Sequence, residues 1–293
     1  MTINALQNMN SSVIRRVRHL AAFFILPLLF SCSEGSPDFR MMSFNVRYIN
    51  DAIDTGQTNW ESRKGPVLKL LKDKMPDVIG FQEPRREQVD FIVAGLPMYG
   101  HIELGRDHGI SEDGGEHLMI MYIKDKYDLT DSGSFWMSPT PDVVSRGWDA
   151  MCRRITVWVR LREKDTGKEL YFFDTHFDHI GVEARRQEAL LLAEKMKEIA
   201  GESAPVFVCG DFNMDSSDPS MAPIRDWMNE ACADAPLTDK GYTYNGFGIG
   251  SSLLKIDHVF YRNALPLTYS IIREDYGVKY VSDHYPVLAE FDF

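Results

Sequence analysis

Carboxylates, amides and imidazoles recur at the ends of apolar runs in this chain. Asp211 and Asn213 follow Val206-Phe207-Val208-Cys209-Gly210 and stand two residues apart, so on extended backbone both side chains point to one side. Such a pair suits the holding of one small polar object, for example a water molecule about to attack phosphorus. Ordinary strand-to-turn chemistry uses the same residue types, and one site alone does not decide between the readings. Asn45 stands near the end of a second run, Glu83 after a third and His176 after a fourth; Asp283 and His284 precede a fifth, and Asp257 sits on a sixth. Together these are the groups that attack on a phosphate ester requires. They offer oxygen ligands for a hard divalent ion, a base for water and donors for the phosphoryl oxygens.

The elements that must position these groups follow from apolar periodicity. Phe39 to Val46 reads as a strand. Arg63 to Met75 reads as a helix with Val67, Leu70, Leu71 and Met75 on one face and Pro76 as its stop. Val78 to Phe81 reads as a buried strand that delivers Gln82 and Glu83, and Glu87 to Ala94 resumes a helical pattern. Tyr99 to Gly115 is polar and glycine-rich and is expected to be a long functional loop ahead of Glu116 and a strand at Leu118 to Ile123. Phe135 to Asp149 is expected to be irregular. Strands follow at Ile155 to Arg162 and Leu170 to Asp174, the latter feeding Thr175-His176-Phe177-Asp178-His179. Glu183 to Ile199 is the clearest helix. Beyond Asn213 the pattern gives a helix from Ile224 to Glu230, an irregular stretch to Leu254, and strands at Ile256 to Tyr261, Leu267 to Ile272 and Val287 to Phe291. Many strands with interspersed helices imply layered α and β.

Residues 1–31 read as a secretory signal, because Arg15, Arg16 and Arg18 precede an apolar run, Leu20 to Phe30, too short to span a bilayer. Leu29-Phe30-Ser31-Cys32 resembles a bacterial lipobox. Cys32 would then be the acylated N-terminus of an exported lipoprotein of the cell envelope, residues 32–38 a tether and residues 39–293 one domain. Ser33-Glu34-Gly35 resembles a surface-export signal; an uncleaved anchor is the alternative. The full chain carries a net charge of −11, and losing residues 1–31 removes three arginines and no acid, leaving −14. A surface that acidic is not built to hold long nucleic acid by general electrostatics, although a bound cation would invert the field at the site itself. Cys209 falls in a core strand, which leaves Cys152 and Cys232 as the one plausible disulfide, and no cysteine spacing suits structural zinc.

In chain order, Ser43-Phe44-Asn45, Gln82-Glu83, Thr175-His176, Gly210-Asp211-Phe212-Asn213, Ile256-Asp257 and Ser282-Asp283-His284 resemble the endonuclease/exonuclease/phosphatase superfamily, the DNase I-like metal-dependent phosphoesterases. The likeness runs from about Phe39 to Phe293. It implies a four-layer α/β sandwich, two facing mixed β-sheets flanked by helices, with the site at one end between the sheets. It also implies one or two Mg²⁺ or Mn²⁺ ions and a phosphate-ester substrate. On that basis Glu83 is the first expected metal ligand, Asn45 offers an amide oxygen to the same ion or its water shell, and Asp283 adds a carboxylate. Asp211 with Asn213 would orient and activate water. His176 and His284 would donate to the phosphoryl oxygens, His284 partnered by Asp257 and His176 more loosely by Glu116, each acid raising the pKa of its imidazole. Asp178 and His179 go beyond the family pattern and are candidates for substrate binding, metal assistance or neither. Trp136, Trp148 and the Arg153-Arg154 pair could wall the cleft, with Arg for phosphate and Trp for a base or sugar, or be packed aromatics and a solvated pair. His258 is expected to point away from Asp257 and to be structural.

These residues point to a monomeric hydrolase that cleaves a phosphodiester, or a phosphomonoester, by direct water attack. Nucleic acid, phospholipid head groups and small sugar or nucleotide phosphates all stay open as substrates. The rival is a non-catalytic surface lipoprotein that keeps the scaffold as a binding module. A glycoside hydrolase with paired carboxylates would leave the Asn and His positions without roles.

Overall fold

Strands that are apolar on both faces need cover on both faces, and this chain supplies it in four layers. The computed structural model describes residues 36–108, 113–249 and 253–293; the signal segment, Cys32 and the first tether residues lie outside them. In order, the elements are β1 (Phe39–Asn45), α1 (Trp60–Lys74), β2 (Val78–Gln82), α2 (Arg86–Gly95), β3 (Tyr99–Gly105), β4 (His117–Ile123), β5 (Tyr127–Trp136), β6 (Ile155–Glu163) and β7 (Glu169–His176). Then come α3 (Val182–Ala200), β8 (Val206–Asp211), α4 (Ala222–Arg225), β9 (Asn229–Glu230), α5 (Ala231–Asp234), β10 (Leu237–Thr238), β11 (Asp257–Arg262), β12 (Leu265–Ile271) and β13 (Val287–Asp292).

One sheet runs β10-β12-β13-β1-β2-β4-β3 and the other β5-β6-β7-β8-β11-β9. Each has a parallel pair near its middle, β1 with β2 and β7 with β8, joined by a helical crossover through α1 or α3. Both pairs end at the same register as their side-chain chemistry begins, Asn45 opposite Gln82 and His176 opposite Asp211. The two-residue period of a strand sorts its side chains between layers. Phe39 and Met41 enter the core between the sheets, where Phe207 and Cys209 of β8 meet them; Met42 and Phe44 face the outer layer of α1 and α2. Val206 and Val208 face α3. Gly80 marks where the sheets approach closely, since a Cβ there would stand 2.6 Å from the Cys209 sulfur and 2.9 Å from the Asp174 carboxyl. The sheets are also joined by a buried hydrogen bond from Gln82 Nε2 to Asp174 Oδ1, 2.6 Å.

The structure differs from the sequence expectations in four places. Tyr99 to Gly105 is a strand and not a loop, and β5 extends through Trp136 into the stretch expected to be irregular. Both are edge strands whose middles are largely exposed or only partly covered, so they lack the apolar alternation that would announce them. The expected helix from Ile224 to Glu230 is a single turn, because the chain leaves it to pair Asn229 and Glu230 with β11. Cys152 and Cys232 are free thiols rather than a disulfide. Pro37–Phe293 packs as one compact unit, and among the described residues no helix is long and apolar enough to cross a membrane.

Candidate active site

Backbone conformations that most side chains avoid surround the strand ends where the polar groups gather. Glu83, Arg47 and Asn213 have φ of +73°, +57° and +52°, uncommon for residues with a Cβ and of the kind that clusters at functional sites. Gly210 has φ of +153°, and a Cβ there would sit 2.0 Å from the Thr175 carbonyl oxygen. Only glycine lets β8 run this close to β7 and still deliver Asp211 at its end.

The groups so delivered converge from both sheets. Asn45 Nδ2 donates to Glu83 Oε1 and to Asp211 Oδ2, 3.0 Å each, so one amide joins a carboxylate of the first sheet to one of the second. The other Glu83 oxygen accepts from the Tyr48 amide at 3.1 Å. Asp211 Oδ2 is also 3.5 Å from His176 Nε2 and 3.7 Å from His284 Nε2, while its Oδ1 accepts from the Asn213 amide at 2.9 Å. Asn213 Nδ2 in turn donates to the Phe177 carbonyl, 2.9 Å, tying the ends of β7 and β8 together. His284 Nδ1 is 2.8 Å from Asp257 Oδ2, and the ring packs edge-on to Tyr244 at 5.0 Å between centroids. Asp283 accepts from Ser282 Oγ at 3.2 Å and faces the Arg47 guanidinium at 3.7 Å.

Burial and crowding set the charge states. Asp211 is pushed up to about 7, chiefly by burial, with Asp257 and Glu83 adding to the rise and His284 opposing it. Burial likewise works against charge on Glu83, but His284, the Asn45 amide and Arg47 outweigh it and hold this acid below its ordinary range. Burial and the nearby Glu83 raise Asp283. Burial disfavours a charged His284, yet Asp257, Asp211 and Asp283 together hold it well above the usual imidazole range. His176 goes the other way. Burial, then Arg154 and Arg106, press it well below the usual range, so the expectation that an acid would raise it is corrected.

Around this centre lies a cavity of about 500 Å³ whose lining includes Glu83, His176, Asn213, Asp283 and His284. Arg154 and His179 also line it. Arg154 is buried, donates to His179 Nδ1 at 3.0 Å and lies 3.5 Å from Asp178, while its Nε and Nη1 have no hydrogen-bond partner. A buried guanidinium with donors to spare is a receptor for an anion. Glu116 stands within 4.8 Å of Glu83 and His176, but its hydrogen bonds and ion pair go to Arg106, at 2.7 to 2.8 Å, and not to His176. The Asp178 carboxylate takes backbone N–H bonds from Met151, Cys152, Ile180 and Gly181, and these overcome burial to hold it down at about 2. Trp148 is not in the lining, and Trp136 is buried with its indole N–H donated to the Arg106 carbonyl, so neither tryptophan walls the cleft. His258 is fully buried, bonded to the Met214 carbonyl and beside Glu230.

Lining residues that escaped the sequence reading include Arg47, Tyr48, Arg106 and Tyr244. Arg47 and Tyr48 come two and three residues after Asn45, and that nearness was the available signal. Arg106 and Tyr244 sit in polar stretches with no periodicity to mark them.

A hard divalent ion fits the donor set. Glu83, partly exposed to the cavity, and the buried Asp211 bring two carboxylates onto one neutral amide, an accumulation of negative charge that calls for a cation. Donor atoms of Glu83, Glu116 and His176 lie within 4.8 Å of one another, as do those of Asp211, Asp257 and His284. Asn45 Oδ1 accepts from the Arg47 amide at 3.0 Å while its Nδ2 bridges the two acids.

Comparison with known proteins completes the description. The Endonuclease/Exonuclease/phosphatase family matches residues 42–284. A solved endonuclease/exonuclease/phosphatase from Bacteroides vulgatus is 38% identical, with a TM-score of 0.81 over 87% of this chain and 98% of that one. A mannosyl-6-phosphatase of Bacteroides thetaiotaomicron VPI-5482 is 33% identical, with a TM-score of 0.81 over 87% of this chain and 100% of that one. Uncharacterized protein L388 of Acanthamoeba polyphaga mimivirus is 29% identical over 253 residues, 80% of this chain and 92% of that protein.

Proposed function

The chain belongs to the endonuclease/exonuclease/phosphatase family and is a phosphoesterase, and on that premise we propose that it hydrolyses a small phosphate ester by attack of a water that Asp211 deprotonates. The observation that carries the proposal is the convergence of Asn45, His176 and His284 on one Asp211 oxygen, between 3.0 and 3.7 Å. A carboxylate poised at about 7 is matched to proton transfer near neutral pH.

Each residue then has a task. Asn213 locks the turn that aims Asp211, through its amide N–H and its side chain. His284, kept protonated by Asp257 and the other acids, donates to a phosphoryl oxygen as negative charge gathers there. His176 acts as a neutral donor. Arg154 supplies unmet guanidinium donors to a second oxygen. The water oxygen bonds to phosphorus as its proton passes to Asp211, and the ester P–O bond breaks with the departing alcohol oxygen taking a proton from bulk water, to which Asp211 later returns its own. Glu83 and Asp283 would hold Mg²⁺ or Mn²⁺, with Glu116 within reach of Glu83, and the ion would neutralise charge on the phosphoryl oxygens.

The sequence favoured a phosphodiester. A cavity of about 500 Å³ and the likeness to a mannosyl-6-phosphatase move the reading to a phosphomonoester of a small molecule. The tether stays part of the proposal: Cys32, acylated once residues 1–31 are removed, would hold a monomeric domain at the cell envelope, and Cys32→Ser would release it to the soluble fraction. The test of function is phosphate release from a panel of sugar phosphates, nucleotides, phospholipid head groups and oligonucleotides. Release from small monoesters is expected; cleavage confined to oligonucleotides would overturn the assignment.

A further inference from the structure

Beside the catalytic cavity lies a second one of about 480 Å³, lined by Arg106, Asp107, Arg146, Met151, Cys152 and Arg153. Arg106, Met151 and Cys152 line both, so the two adjoin. Three guanidiniums face one carboxylate here, in a chain whose net charge is −11. Their arrangement is built rather than incidental. Arg106 is fixed by its fork on Glu116 and by the Trp136 indole, which donates to its carbonyl at 3.0 Å. Arg153 is fixed by Asp107 at 3.0 Å. Both keep a buried Nε without a partner. Arg146 is exposed, and its guanidinium makes no ion pair or hydrogen bond among the described residues.

Resting on the phosphoesterase reading above, we propose that this cavity is a second anion subsite and that the substrate is a small phosphate ester bearing a second phosphate group. A phosphate dianion suits several planar guanidinium forks at once better than any neutral group would. The second phosphate would be held by Arg146 and Arg153, with Arg106 between the two sites, while the scissile phosphate lies against Arg154 and His284. Three guanidiniums gather in this one cavity of a strongly acidic protein. A polymer backbone would need a basic track instead, so the ligand is a compact molecule.

The test compares paired probes: inorganic pyrophosphate with inorganic phosphate, and a hexose bisphosphate with the hexose monophosphate. Binding is measured on the Asp211→Asn protein by calorimetry, and turnover of the sugar phosphates on the wild type. Both are repeated with Arg146→Gln and with Arg146→Gln/Arg153→Gln. The wild type is expected to favour a doubly phosphorylated probe, and the double substitution to weaken it by roughly tenfold to a hundredfold, through KM in turnover and not kcat. Singly phosphorylated probes should bind as before, and Arg146→Gln, at an exposed position, should leave Tm unchanged. Equal affinity for one and two phosphates, or an equal loss for both, would overturn the subsite, as would an oligonucleotide as the tightest ligand. Differential binding without any turnover would uphold the subsite and count only against the hydrolase reading.

Discussion

His284 Nδ1 lies 2.8 Å from Asp257 Oδ2, and the Asp257 backbone pairs with Asp211 across β11 and β8. The strand register thus sets the distance between the acid that orients the imidazole and the acid that accepts the water proton. Asp257→Asn keeps the shape but loses the charge behind His284. Turnover should fall by about tenfold to a hundredfold with KM and Tm little changed. Steady-state kinetics beside a thermal melt would check it, and unchanged kcat would remove Asp257 from the mechanism.

His284, the Asn45 amide and Arg47 hold Glu83 below its ordinary range at the mouth of the site, which makes it the anchor for a cation. Glu83→Ala should raise the Mg²⁺ concentration needed for half-maximal activity by at least about tenfold. It should also erase the rise in Tm that Mg²⁺ gives the wild type by mass action. A melt followed across a Mg²⁺ titration reads this without any substrate. Identical titrations would place the ion elsewhere.

Arg154 carries two buried nitrogens with no hydrogen-bond partner, Nε lying 3.5 Å from the Asp178 carboxylate, and so has more donors than the protein's hydrogen bonds use. Arg154→Ala should lower kcat/KM by roughly tenfold to a hundredfold, since a charge-assisted contact is lost. Arg154→Lys should restore little, because an ammonium cannot reproduce a planar fork. Full rescue by lysine would mean that only positive charge matters there.

Glu188 is fully buried on α3, where Oε2 accepts from the Asp178 amide at 2.9 Å and Oε1 has no partner. Burial raises this acid from 4.5 to about 8 despite the opposing amide and Arg154. The folded state therefore keeps a proton that the unfolded chain has already lost, so stability falls as pH rises from about 4.5 to about 8. Asp178, held at about 2, stays ionised across that window and adds no slope. Glu188→Gln should remove this residue's share of the fall, Asp211 at about 7 keeping a share of the same sign, and should leave the variant more stable than the wild type at the upper end by about 5 kcal/mol. Denaturant melts at the two ends of the window would show parallel behaviour in both proteins if Glu188 were not responsible.

The parts of the molecule that were legible from sequence are those whose side chains obey one period. The strands ending at Asn45, Gln82, His176 and Asp211 are covered on both faces, so their apolar runs and the polar residues after them could be read directly. The edge strands β3 and β5 could not, because water covers much of their surface and no apolar alternation is required. At the site, residue types foretold which groups gather but not how each is used. Asn45 turned its oxygen to Arg47, Asp178 spent its carboxylate on four backbone amides, and His176 fell under the influence of two arginines. The last outcome depends on arginines far away in the chain, Arg106 and Arg154, whose approach to His176 no local pattern announces.

The account stands or falls on Asp211 as the base at a cation-dependent centre. The direct measurement is hydrolysis of an aryl phosphate by the wild type and by Asp211→Ala, each with Mg²⁺ and after EDTA. The expected result is turnover that EDTA abolishes and Mg²⁺ restores, reduced roughly a hundredfold to ten-thousandfold in a variant that still melts cooperatively. Turnover that survives both chelation and the loss of Asp211 would contradict it.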